Sequence, residues 1–128
     1  MNSGAGDAAE GQVMCYDPQR ETVTMVVEST DESLLDGPDN ITVAGDGTLY
    51  LCEDGSGGTF GEPRYGQRVV GVDSNGGLFD FAFNNLNTSE FAGACFSPNG
   101  RTMFVNSQGA GIMYAIWRSD RRPIRLRG

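Results

Sequence analysis

A pattern of short β-prone runs and tight turns recurs along this chain after about 53 residues. The turn Asp46-Gly47 matches Asn99-Gly100, and the run after the first turn, 49–51 (LYL), matches the run after the second turn, 103–105 (MFV). Both turns contain residues that tolerate positive φ, and both runs have the β-branched and aromatic content of strands. This recurrence restricts the chain to folds that are built from repeated β units.

A second pair of strand-like runs recurs after about 56 residues. These runs are Gln12–Asp17 and Thr22–Glu28 in the first copy, and 68–73 and Leu78–Phe83 in the second copy. The repeating unit is thus four short strands joined by turns, which is the composition of a β-propeller blade. We therefore predict an all-β fold over residues 12–117, with about two four-stranded antiparallel blades of an incomplete propeller.

The two ends of the chain differ in composition from residues 12–117. Residues 1–11 are rich in Gly, Ala and Asp and predict a loop. Residues 118–128 contain five of the nine arginines and predict a solvated, disordered tail. The net charge of −8 argues against nucleic-acid binding, which needs a basic face. No apolar stretch is long enough to span a membrane, and no signal peptide is visible at Met1.

The absence of histidine excludes Ser-His-Asp chemistry, Cys-His chemistry and His-ligated zinc. The three cysteines, Cys15, Cys52 and Cys95, do not form a CxxC pair. Each lies inside an apolar strand-like run, so we predict that all three are buried as small hydrophobic residues. Any catalysis must therefore depend on carboxylates, hydroxyls, arginine or a metal ion.

Acidic residues stand where the predicted strands meet loops. Asp39 precedes the run 41–44, and Glu90 stands in the same way before the next inner strand, 91–96. Glu53 and Asp54 follow the run 48–52. Because the first strand of each blade lines the central channel of a propeller, we expect these side chains to converge on a cation or a polar ligand. The alternative is that they serve only as turn and capping residues.

Three motifs in sequence order resemble the C-terminal part of the PhoX-type alkaline phosphatases: PDNITV at 38–43, LCEDG at 51–55 and SEFAGACFSPNGRT at 89–102. The similarity extends over roughly residues 3–117. It implies a large, monomeric β-propeller that hydrolyses phosphate monoesters. It also implies export to the periplasm or beyond the cell, and the use of calcium together with iron, held mainly by carboxylates and a cysteine.

The large N-terminal part of such an enzyme has no counterpart in this sequence. We therefore expect a partial phosphomonoesterase that is inactive in isolation and folds poorly by itself. Its open sheet edges would be covered by the missing propeller blades or by self-association.

Cations in a phosphatase neutralise the phosphoryl oxygens, and calcium needs six to eight oxygen ligands, so several carboxylates must converge. Within the resemblance we predict Glu90, then Glu53 and Asp54, as metal ligands. Asp39 and Asn40 are further candidates, either as ligands or as groups that orient a ligand. No catalytic residue is assigned.

Two other functions are compatible with the same patterns. The first is a calcium-binding propeller hydrolase of the gluconolactonase and senescence-marker type, which shares PDN-like strand starts and DG turns. The second is a noncatalytic propeller segment that binds other proteins. Calcium retention without phosphatase activity would favour the first, and metal-independent folding that Glu90→Gln leaves unchanged would favour the second.

Overall fold

A computed structural model describes residues 4, 6, 10–55 and 67–125 of the chain. This part is all-β and contains nine strands. The strands are β1 (Gln12–Asp17), β2 (Thr22–Glu28), β3 (Pro38–Val43), β4 (Leu49–Glu53), β5 (Arg68–Val72), β6 (Leu78–Phe83), β7 (Phe91–Phe96), β8 (Thr102–Ser107) and β9 (Ile112–Trp117). The described residues include no helix that is long and apolar enough to cross a membrane.

The strands form three antiparallel sheets in chain order. Sheet A contains β1 and β2, sheet B contains β3 to β6, and sheet C contains β7 to β9. The all-β prediction is confirmed, and the arrangement is consistent with an incomplete propeller. The inner strands β3 and β7 of neighbouring sheets contact each other.

The repeat is visible in the turns as well as in the strands. In the β1–β2 turn, the Asp17 carboxylate accepts a hydrogen bond of 2.8 Å from the amide of Gln19. In the β5–β6 turn, Asp73 accepts a bond of the same length from Asn75. Such Asx turns fix the tip of a hairpin and hence its register.

Two apolar layers hold the three sheets together. Sheets A and B pack through a cluster that includes Val13, Leu35, Leu51 and Val70. Sheets B and C pack through a second cluster centred on Tyr50, which is 1% exposed. The Tyr50 ring meets three phenylalanine rings edge to face, with centroid separations of 4.8 to 6.1 Å: Phe81, Phe96 and Phe79. Pairs of this geometry each contribute about 0.5–1.5 kcal/mol beyond their buried area.

One residue of the described part of the Arg-rich tail is packed into the core. The amide of Ile124 donates to the carbonyl of Gly100 at 2.8 Å, and the Ile124 side chain is buried in the Tyr50 cluster. Arg118 pairs with Asp120 at 2.8 Å. Ile124 therefore anchors this segment, whereas residues 119–122 and Arg125 are exposed, and the disorder predicted for residues 118–128 stays a prediction. Residues 126–128, most of the predicted 1–11 loop and residues 56–66 lie outside the described residues.

The prediction that all three cysteines are buried is right for Cys52 and wrong for Cys15 and Cys95, which are exposed. Cys52 lies in sheet B, which has a neighbouring sheet on each side. Cys15 and Cys95 lie in sheets A and C, which each pack against one sheet in the described part of the chain. An apolar run predicts burial only where both faces of its sheet are covered.

Candidate metal centre

Three carboxylates converge where the inner strands of sheets B and C meet. Asp39, Asp54 and Glu90 each bring one oxygen to a cluster in which the ligand atoms lie within 4.8 Å of one another. Asp39 and Asp54 are exposed and Glu90 is half-buried. We call this group the carboxylate cluster. Three of the four acidic residues that the sequence singled out are thus brought together, and Glu53 is not among them.

A β-bulge places Asp39 in the carboxylate cluster. Pro38 pairs with Glu53 and Asn40 pairs with Cys52, so the register shifts between Pro38 and Asn40 and leaves Asp39 without a cross-strand partner. Bulges redirect a side chain out of the regular alternation and are frequent beside functional sites. The sequence predicted a strand that begins at residue 41, whereas β3 begins at Pro38, so Asp39 lies inside the strand and not before it.

The backbone of Asp54 lies close to the backbone of Gly37, which holds it in place. Its amide donates to the carbonyl of Gly37 at 3.0 Å. Gly37 has φ of +54°, and a Cβ at this position would lie 3.0 Å from the Asp54 carbonyl oxygen. Glycine is the residue that adopts this positive φ without a Cβ that would crowd the Asp54 carbonyl. Gly37 therefore determines the position of the Asp54 backbone at the end of β4.

Glu90 occupies the place in sheet C that Gly37 occupies in sheet B. The carbonyl of Glu90 accepts a bond of 3.0 Å from the amide of Gln108, as the carbonyl of Gly37 accepts from Asp54. The predicted equivalence of Glu90 with Asp39 is therefore wrong, because the matching hydrogen bonds align Glu90 with Gly37. The two side chains reach the same cluster from different positions in the repeat.

A buried amide organises the connection that leads to Glu90. Asn84 is 7% exposed, and its side-chain amide donates to the carbonyl of Ser89 at 2.6 Å and to Asn87 Oδ1 at 2.9 Å. The hydroxyl of Ser107 donates to the same Asn87 oxygen at 3.1 Å. Sequence reasoning missed these residues because a polar NNLNTSE segment predicts a surface loop.

Asn40 orients Asp39 and links the two inner strands. Its side-chain amide donates to Asp39 Oδ1 at 3.0 Å. Its side-chain carbonyl accepts from the amide of Gly93, in β7, at 3.1 Å. These bonds hold Asn40 beside the carboxylate cluster, and its role as a ligand or as an orienting group stays a prediction.

The electrostatics of the carboxylate cluster favour a positive charge or a shared proton. A hydrogen bond to Asp54, partial burial and the charges of Asp54 and Asp39 raise the pKa of Glu90 to about 7. Glu90 Oε2 is buried and accepts no hydrogen bond from the described residues. Both observations are explained if Glu90 is protonated and donates a hydrogen bond to Asp54. Ionised Glu90 would lose that bond and would carry negative charge on a buried oxygen that has no donor.

Glu53 belongs to a buried ion pair on the other side of β4. The Glu53 carboxylate accepts from Arg68 Nε at 2.7 Å and from Arg68 Nη2 at 2.5 Å, and from the amide of Asp36 at 2.9 Å. Glu53 and Arg68 are 2% and 3% exposed. Burial raises the pKa of Glu53, and the bonds from Arg68 oppose this rise. The structure therefore places this predicted metal ligand in a structural role, and sequence reasoning gave Arg68 none.

Cys52 lies close to the carboxylate cluster but does not join it. Burial, together with the charges of Asp39 and Glu90, raises the pKa of the Cys52 thiol to about 11. Among the described residues, the group that could hold a metal ion consists of carboxylates alone.

An open hollow of about 400 Å³ lies beside the cluster. Asp54 and Glu90 line one side, and the rest of its lining is uncharged: Gly55, Gln67, Thr88, Ser89, Gln108 and Gly109. Its composition suits a ligand that carries hydroxyl groups. The hollow gives a bound molecule direct access to the carboxylate oxygens.

Comparison with known proteins agrees with the motifs. Residues 3–111 match the family described as alkaline phosphatase PhoX, and this region contains every residue of the carboxylate cluster. No curated protein and no solved structure matches the chain. The resemblance inferred from the motifs is confirmed: the chain belongs to the alkaline phosphatase PhoX family.

Proposed function

We propose that this chain supplies a calcium site to a metal-dependent phosphomonoesterase, with Asp39, Asp54 and Glu90 as the protein ligands. The observation that carries the proposal is the convergence of three carboxylate oxygens within 4.8 Å, inside the region that matches a phosphatase family. Carboxylates at this separation repel one another, and a proton or a cation between them relieves the repulsion.

The donor set supports calcium. Calcium binds six to eight oxygens at 2.3–2.6 Å, and carboxylates are its usual protein ligands. The buried, unpartnered Glu90 Oε2 is an oxygen that a cation would satisfy. Asn40 would keep Asp39 turned towards the ion. Iron, which the family resemblance implies together with a cysteine ligand, has less support at this cluster, because its ligand atoms are all carboxylate oxygens.

A cation held here would neutralise charge on the phosphoryl oxygens of a phosphate monoester, which is its main contribution to such hydrolysis. The residues of this chain would then position the ester. The uncharged polar side chains of the hollow, such as Thr88 and Gln108, would bind the alcohol portion of the substrate. We assign no nucleophile among the described residues, and we expect the isolated chain to be inactive.

Calorimetric titration of the 128-residue chain with calcium at pH 8 tests the proposal. We expect binding of about one ion per chain, weakened roughly tenfold or more in Glu90→Gln, because affinity follows the number of charged ligands. The matched control is Glu21→Gln, which makes the same change at an exposed turn residue. Equal affinity in the wild type and Glu90→Gln would exclude the site.

Activity assays with p-nitrophenyl phosphate and gluconolactone, each with and without calcium, separate the candidate activities. We expect no turnover of either compound by the isolated chain. Calcium-dependent lactone hydrolysis would instead support the gluconolactonase-type alternative. Calcium-dependent phosphate release would show that the chain contains a complete site and would overturn the expectation of inactivity.

A further inference from the structure

Gln67, the residue before β5, has a buried amide oxygen that the described residues leave unsatisfied. The residue is 6% exposed. Its side-chain nitrogen Nε2 donates to the carbonyl of Gly55 at 3.3 Å. Its Oε1 is buried and accepts no hydrogen bond from the described residues. Because an unpaired buried acceptor is costly to a folded protein, this oxygen is suited to a ligand outside the chain.

The register between β4 and β5 places Gln67 opposite Asp54. Cys52 pairs with Val69, and the same register brings Asp54 opposite Gln67 two residues further along the strands. Because residues two apart on a strand share a face, Asp54 and Gln67 lie on the same side of sheet B as the Cys52 pair. Cys52 and Val69 belong to the apolar layer between sheets B and C. Gln67 therefore lies on the side of sheet B that faces sheet C, which Glu90 precedes.

Gln67 and the carboxylate cluster share one hollow. Gln67, Asp54 and Glu90 all line the hollow of about 400 Å³. Glu90 Oε2 and Gln67 Oε1 are both buried oxygens without a hydrogen bond from the described residues. A bare cation is smaller than a water molecule, so it can lie among oxygens that solvent does not reach. Two such oxygens beside three converging carboxylates therefore fit a cation better than a bound water.

The buried amide of Asn84 fixes the position of Gln67 as well as that of Glu90. The backbone amide of Asn84 donates to the carbonyl of Gln67 at 2.9 Å. Its side chain donates to the carbonyl of Ser89, the residue before Glu90, at 2.6 Å. A ligand whose position is set by surrounding hydrogen bonds loses little freedom when an ion binds. Gln67 and Glu90 are thus held in place by one shared residue.

We propose that Gln67 Oε1 is a further protein ligand of the calcium ion that Asp39, Asp54 and Glu90 hold. This inference rests on the proposed function. Calcium takes six to eight oxygens, and the side-chain carbonyl of glutamine is among its ordinary ligands. An amide oxygen adds a ligand without adding negative charge, which suits a cluster in which three carboxylates already repel one another.

Terbium luminescence tests this role without an activity assay. Terbium occupies calcium sites, and its lifetimes in H₂O and D₂O give the number of water molecules bound to the ion. We expect Gln67→Leu to bind terbium with about one more water than the wild type, and calcium about three- to tenfold more weakly, because one neutral ligand is lost. Gln108→Leu makes the same change at an exposed residue of the same hollow and should alter neither value.

A second pair of variants keeps the length of the side chain and adds a charge. We expect Gln67→Glu to bind calcium about tenfold more tightly than the wild type at pH 8, because affinity follows the charge of the ligands. Gln108→Glu adds the same charge to the hollow away from the ion and should give a smaller gain. Equal gains in the two variants would overturn the role of Gln67, because the charge alone would then explain both.

The two proposals fail in different ways. A wild type that binds neither calcium nor terbium would overturn both the calcium site and the role of Gln67. A wild type that binds both ions, with the same affinity and the same number of bound waters in Gln67→Leu, would overturn the role of Gln67 and leave the carboxylate site in place.

Discussion

At the scale of single residues, Glu90 carries most of the functional argument. Its side chain joins Asp39 and Asp54, its Oε2 is buried without a partner among the described residues, and its pKa is raised to about 7. Glu53, one residue before Asp54, has the opposite environment, because two nitrogens of Arg68 satisfy it. Two neighbouring acidic residues in one motif thus have different environments, because Glu53 is the last residue of β4, paired with Arg68, and Asp54 follows the strand.

Thiol reactivity reports the burial differences among the cysteines. We expect Cys15 and Cys95 to react with a thiol reagent in the native protein at low concentration, and Cys52 to react only after unfolding. The raised pKa of Cys52, about 11, further reduces its reactivity at neutral pH. Mass spectrometry of the labelled protein gives the sites. Rapid native labelling of Cys52 would contradict the packing of sheet B against its neighbours.

At the scale of elements, the buried ion pair between Glu53 on β4 and Arg68 on β5 links sheet B to the loop that precedes it. Arg68 Nη1 donates to the carbonyl of Ser33 at 3.1 Å and to Asp80 at 3.1 Å, in addition to its bonds with Glu53. The pair therefore joins β4, β5, β6 and the connection from sheet A. A buried charge that loses its partner typically destabilises a protein by several kcal/mol.

The two acidic partners of Arg68 provide a matched test of this role. We expect Glu53→Gln to lower the free energy of unfolding by about 3–5 kcal/mol, because it leaves the Arg68 guanidinium buried beside a neutral side chain. Asp80→Asn removes the partner that is 49% exposed and should cost only about 0–1 kcal/mol. Urea denaturation at low protein concentration measures both. Equal losses of stability in the two variants would contradict the greater contribution expected from the buried pair between Arg68 and Glu53.

The strands of this fold could be predicted from sequence because the repeat, the turn residues and the β-branched runs all indicate the same structure. The carboxylate cluster was only partly predictable. The bulge at Asp39 and the buried Asn84 network depend on contacts between distant residues, which a local pattern does not reveal. The pairing of Glu53, a predicted metal ligand, with Arg68 was missed because nothing in the sequence indicates that Arg68 on β5 reaches it.

At the scale of the whole molecule, the three sheets of the described residues follow one another in chain order and pack through two apolar layers. The carboxylate cluster lies where sheets B and C meet at their inner strands, so its geometry depends on the packing of those sheets. Membership of a phosphatase family and an all-carboxylate site support one account, in which the stacked sheets hold a cation for phosphate-ester chemistry.

The pH dependence of stability follows from the raised pKa of Glu90. Its ordinary value is 4.5 and its value in the folded chain is about 7. A carboxyl with a raised folded-state pKa favours folding in its protonated form. This contribution is complete below about pH 4.5 and is lost as the pH rises through about 7. Bound calcium should replace the lost proton, so calcium should stabilise the protein at pH 8 far more than at pH 5.

The most direct test of the carboxylate cluster is the unfolding temperature of the wild type and Glu90→Gln, with and without calcium, at pH 5 and pH 8. At a calcium concentration about 100 times Kd, binding adds about 2.7 kcal/mol of stability. We predict a rise of several degrees for the wild type at pH 8, little change for it at pH 5, and a rise for Glu90→Gln at pH 8 of about half the wild-type rise or less. A calcium-induced rise in Glu90→Gln equal to that of the wild type, or no rise in the wild type at pH 8, would contradict this prediction.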